Sequence, residues 1–145
     1  MATAVKKTPL KQTSRTNDPE RTMAEILLVA NKEFADKGLA GARIDEIAAA
    51  TRTSKRMIYY YFASKEGLYL AVLEAAYRRM RQIESDLHLE DLEPVQALKA
   101  LVEFTYDHHQ ANENFIRLVM NENIQRGEYL GQSKDIQQLN GSALQ

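Results

Sequence analysis

The chain has 145 residues, 19 Lys+Arg against 20 Asp+Glu, three His and no Cys. The length suits one or two small domains with a core, and the lack of Cys excludes disulfides, thiolate zinc sites and cysteine nucleophiles. No apolar run reaches the roughly 20 residues that cross a bilayer, and no apolar stretch follows the N-terminal lysines as a secretory signal requires, so a cytoplasmic protein is expected.

Residues 1–17 are polar and rich in Thr and Lys, the composition of a disordered basic arm. Asp18-Pro19-Glu20 then starts a helix: Asp accepts at the N-cap, Pro fits the first turn and Glu complements the dipole. Met23, Ile26, Leu27, Ala30 and Phe34 keep helical spacing, and Lys37-Gly38 supplies a stop with a left-handed glycine, which gives a helix of about 17 residues. A second, shorter helix is predicted from about Arg43 to Ala50 and a third from Ser54 to Phe62. Ser64 caps a fourth helix that carries Leu68, Val72, Ala76, Met80 and Ile83. Residues 88–93 form an acidic linker, Glu93-Pro94 opens a fifth helix, Asn112 or Asn114 starts a sixth, and Ser133 caps a short seventh. The expected fold is therefore all-α.

The charge is not evenly spread. Residues 1–65 hold 12 Lys/Arg and 7 Asp/Glu, whereas residues 66–145 hold 7 and 13. A basic front and an acidic back point to polyanion contact through the front alone. The first turn of the third helix carries Lys55 and Arg56, cations that oppose the helix dipole. With no local benefit in view, a negative partner is the natural reason for them. Thr51-Arg52-Thr53 joins helices two and three in three residues, the geometry of a helix-turn-helix whose second helix enters the DNA major groove. With Ile58 set at 0° and about 100° per residue, Arg56 falls near 160°, Tyr60 near 200° and Met57 near 260°, away from the core side held by Ile58 and Phe62. Arg can fork onto guanine, Met57 and the Tyr60 ring can meet thymine methyl groups, and Lys55, Lys65 and tyrosine hydroxyls can hold phosphates.

Gly38-Leu39, Ile44-Asp45-Glu46-Ile47-Ala48, Ser54–Phe62 and Ser64-Lys65-Glu66-Gly67-Leu68 together resemble the DNA-binding head of TetR/AcrR-family transcriptional regulators. The resemblance implies base-facing roles for Lys55, Arg56, Met57 and Tyr60, and phosphate contacts for Arg43, Tyr59, Tyr61 and Lys65. It implies a head over residues 18–65 and a partial α-helical regulatory domain over 66–145. Two positions depart from the family pattern: Ala42 stands where a capping Thr or Ser is usual, and Arg52 stands where the turn usually has Gly. A missing cap costs about 1 kcal/mol and a left-handed non-glycine residue roughly the same.

In that family two late helices build a homodimer, and the chain is expected to stop before them. The family also releases DNA on binding a small-molecule effector, for which Tyr77, Met80, Phe104, Tyr106, His109, Phe115 and Met120 are the candidate lining. The expected function is a sequence-specific DNA-binding regulator, a repressor by family habit, with double-stranded DNA and an effector as partners and no membrane. The alternative is a helical protein-binding module that has lost dimer-dependent operator recognition. No phosphate-cradling glycine loop, nucleophile elbow or paired carboxylates suggest an enzyme, and neither a cofactor nor a metal is expected.

Overall fold

The computed structural model describes residues 18–141, so the arm expected over residues 1–17 lies outside it. Seven α-helices follow in order: α1 (Pro19–Gly41), α2 (Ile44–Thr51), α3 (Lys55–Phe62), α4 (Lys65–Ser85), α5 (Pro94–Ala111), α6 (Glu113–Ile124) and α7 (Lys134–Gly141). Short 3-10 turns occupy Leu89–Asp91 and Leu130–Gln132, and the described residues contain no strand. The starts follow local chemistry. The Asp18 carboxylate accepts from the Glu20 and Arg21 amides at 3.1 and 3.4 Å, the Ser54 hydroxyl from Met57 N at 3.1 Å, the Ser64 hydroxyl from Gly67 N at 2.9 Å, and the Ser133 hydroxyl from Ile136 N at 3.1 Å.

The first helix is regular from Pro19 to Lys37, close to the length its spacing suggested, before a last turn that ends at Gly41. Gly38 does break it, but with φ 69° and ψ 176°, not in the left-handed helical region. That backbone state is nearly exclusive to glycine. Leu39, Ala40 and Gly41 continue beyond the kink, and the Ala42 amide returns to the Gly38 carbonyl at 3.1 Å. At the other departure from the family pattern, Arg52 is left-handed at φ 52° and ψ 35°, so the strain expected of a non-glycine residue is present. Ala42 is buried, and Arg43 caps α2 without a side-chain bond.

A single cluster of buried residues runs through the bundle. Ile26, Ala30 and Phe34 of α1 meet Ile44 and Ile47 of α2, Ile58 and Phe62 of α3, Leu68, Tyr69, Val72 and Leu73 of α4, Leu118 of α6 and Ile136 of α7. Helix α1 packs against α2, α4 and α6, while α4 packs against α1, α3 and α7. Helix α5 joins least: His108 is its only buried residue, and Val95, Leu98, Val102 and Tyr106 face solvent. The tight joint between α3 and α4 depends on Gly67, where an added Cβ would lie 2.1 Å from the Phe62 carbonyl oxygen.

Candidate nucleic-acid interface

Helix α3 is anchored by its apolar side and open on the other. Ile58 is fully buried and Phe62 is 9% exposed, whereas Tyr60 is 78% exposed and Arg56 is exposed. Met57 is half-buried, Tyr59 is 41% exposed, and Tyr61 packs against the core edge between the Tyr60 and Phe62 rings. The angular sorting made from helical geometry matches the burial of Ile58, Phe62, Arg56 and Tyr60, whereas Met57, expected to face outward, is half-buried. The turn that presents this face is tight: Thr53 N donates to Ala48 O at 3.0 Å, and the Thr51 hydroxyl donates back to Ile47 O at 2.8 Å.

The cations divide into held and unheld. Lys55, against the sequence argument, has a local anion: its Nζ lies 2.7 Å from Asp45 Oδ1 in the first turn of α2. The same carboxylate takes Arg43 Nη2 at 3.4 Å. The Lys55 hydrogen bond holds the Asp45 carboxyl below the usual range, and Asp45 in turn raises the Lys55 ammonium. Behind them Lys37 bridges Glu46 and Glu33, and Glu33 Oε1 also accepts from the Arg43 amide at 3.2 Å. Lys65 Nζ reaches the Ala40 carbonyl at 3.4 Å across the joint between α1 and α4. Among the described residues, neither Arg52 nor Arg56 forms an ion pair.

The candidate effector residues do not converge on one cavity. Tyr106 and His109 line an open groove of about 760 Å³ with Leu101, Val102, Thr105, Gln110, Glu113 and Ile116. Tyr77, Phe104 and Phe115 belong instead to an aromatic cluster around His108, with ring centroids of 5.5 Å for Tyr77–Phe115, 5.6 Å for Phe104–His108 and 5.2 Å for His108–Phe115. Burial pushes the Tyr77 phenol up. Met80 is half-buried and Met120 is 54% exposed. His109 stacks on Phe115 from the groove side, with centroids 6.1 Å apart. For a metal, the described residues offer one grouping, exposed His88, Glu90 and Asp91 on the α4–α5 connection.

Three features escaped the sequence reading. Asp45 of α2 pairs with Lys55 of α3, a contact between two helices. Glu122 is fully buried in α6, where its carboxyl group accepts from the Tyr69 hydroxyl at 2.8 Å and from the amides of Tyr129 and Leu130 at 3.2 and 3.1 Å. Its spacing from Phe115 and Leu118 puts it on the apolar face, a signal that was available. His108 is buried with no hydrogen-bond partner for Nδ1, and burial lowers its pKa below the ordinary value, with His109 and Arg79 adding to the effect.

Residues 26–72 match the family of bacterial regulatory proteins of the tetR type, and residues 94–145 match the tetracyclin repressor-like C-terminal domain. The chain belongs to the TetR family of transcriptional regulators. It is 37% identical over 130 residues to the HTH-type transcriptional repressor NicS of Pseudomonas putida, covering 90% of this chain and 61% of NicS. It is 34% identical over 110 residues to the HTH-type transcriptional repressor SCO4008 of Streptomyces coelicolor, covering 76% of this chain and 54% of that protein. The chain thus spans less than two thirds of the length of these relatives. The crystal structure of SCO4942 from Streptomyces coelicolor superposes with a TM-score of 0.62 at 32% identity, over 77% of this chain and 58% of that one. TetR-family membership fits the helix order and the head described above.

Proposed function

We propose that this chain is a sequence-specific DNA-binding repressor that works in the cytoplasm, with α3 seated in the major groove. The observation that carries the reading is the division of α3, with Ile58 and Phe62 buried and Arg56 and Tyr60 turned outward on one open face. Relatives named as repressors support the direction of regulation. In this reading Arg56 and Met57 read base edges, with Tyr60 between them and Lys55 at the helix start. Arg43, Tyr59, Tyr61 and Lys65 hold the backbone. Two heads set about one helical turn apart, roughly 34 Å, are what a palindromic site requires, so a homodimer is part of the proposal. A small-molecule effector releasing the DNA would act on α4 to α6, where the aromatic cluster and the α5–α6 groove adjoin.

The test is anisotropy titration against a randomised duplex pool enriched for bound sequences. Arg56→Ala is expected to cost about 1–3 kcal/mol and to relax preference at one base position, whereas Lys65→Ala weakens all sequences alike and lowers the salt slope by about 1. Equal small effects of both substitutions, or binding that does not weaken with salt, would remove α3 from the groove.

A further inference from the structure

We propose that Asp45 is an internal stand-in for a DNA phosphate, occupying Lys55 and Arg43 and so limiting the attraction of the head to duplex of any sequence. The inference rests on the DNA-binding reading above. One carboxylate serves both cations: Oδ1 lies 2.7 Å from Lys55 Nζ and Oδ2 lies 3.4 Å from Arg43 Nη2. Carboxylate and phosphate oxygens make the same charge-assisted bonds to ammonium and guanidinium groups, so the two acceptors compete for one pair of donors. All three side chains remain half-exposed or more, within reach of an incoming backbone.

The neighbouring acid makes the contrast. Glu46, one residue along α2, is bound to Lys37 of α1, which also holds Glu33, and touches no cation of α3. Lys55 is thus held within the chain, while Arg56, the next residue, forms no ion pair among the described residues. Exposed ion pairs are weak and screened by salt, so a phosphate can displace Asp45. Until it does, the triad presents one net positive charge instead of two. Because phosphate contacts carry no sequence information, the mask lowers binding to unrelated DNA and leaves base preference to Arg56 and its neighbours.

The experiment titrates the full chain against unrelated duplexes of roughly 30 base pairs by anisotropy, between about 50 and 200 mM salt. Asp45→Asn is expected to bind about fivefold tighter at the low-salt end, since an exposed pair no longer competes. Its plot of log affinity against log salt should steepen by about 0.9 for each cation released. Glu46→Gln, the same charge change in the same turn, should leave both quantities near wild type. Adding Lys55→Gln to Asp45→Asn should cancel most of the gain. The proposal is overturned if Asp45→Asn binds no tighter than wild type, or if Glu46→Gln matches it and the effect is total charge alone. Wild-type protein that binds no duplex at all refutes the DNA reading and this inference together. Wild-type binding with an inert Asp45→Asn refutes the mask only.

Discussion

Glu122 is the residue whose replacement tests the architecture most directly. It is fully buried near the end of α6, and it ties that helix to α4 through Tyr69 and to residues 129–130 through two backbone amides. Helix α4 also packs against α1 and α3, so this carboxyl group fastens the rear of the molecule to the element that joins the front. Burial, then the hydrogen bond to Glu122, pushes the Tyr69 phenol far above its usual range, which keeps its proton on the shared bond. Glu122→Leu fills the space but strands three donors. An orphaned buried donor costs about 1–3 kcal/mol, and the 129–130 amides recover part of theirs from water, so the sum is about 3–5 kcal/mol. Glu122→Gln keeps an oxygen for the amides and turns its NH₂ toward the Tyr69 oxygen, for a loss of about 1–2 kcal/mol. Replacing a buried polar group by an apolar one is often harmless when its partners go too. Here the partners stay, so Tyr69→Phe should be milder in the Glu122→Leu background than in wild type. Urea unfolding followed by circular dichroism gives the four free energies, and amide exchange at Tyr129 and Leu130 reports the loop. A Leu variant within about 0.5 kcal/mol of wild type, with those amides unchanged, would show that the carboxyl group holds nothing.

Gly67→Ala places a Cβ 2.1 Å from the Phe62 carbonyl oxygen and must push α3 from α4. The expected loss is about 2–3 kcal/mol, read as a thermal midpoint lower by roughly 10 °C. The pH dependence should carry a signature of His108. Its folded pKa lies below the unfolded value near 6.5, so the unfolded chain binds the proton more readily. Stability from the neutral ring is therefore complete above about 6.5 and lost as pH falls from there through the folded pKa. His108→Leu should flatten that slope between pH 7 and 5 and, by removing an unpartnered buried nitrogen, add about 1 kcal/mol near neutrality. An unchanged slope, measured by denaturant titration at each pH, would place the acid sensitivity elsewhere.

Much of this fold is written locally. Asp18, Ser54, Ser64 and Ser133 announce helix starts through bonds that span two or three residues, and a short-range pattern is all that such bonds need. Ile58, Phe62, Arg56 and Tyr60 sort themselves by an angle of about 100° per residue, which any reader of the sequence can apply. Long-range pairing follows no such rule. Lys55 and Asp45 are ten residues apart, Tyr69 and Glu122 are 53 apart, and Ser133 donates to Glu74 across 59. Gly38 was recognisable as a break, but not its extended positive-φ state, which the chain adopts beside the Asn121 side chain of α6. By itself, then, the sequence determined the helices, their apolar faces and the outward face of α3, because each depends on neighbours within a turn or two. Only the tertiary structure decided which cations are held by acids within the chain, which partners the buried Glu122 carboxyl group finds and which aromatic residues gather around His108. Those outcomes depend on the desolvation and proximity of groups that chain order keeps far apart.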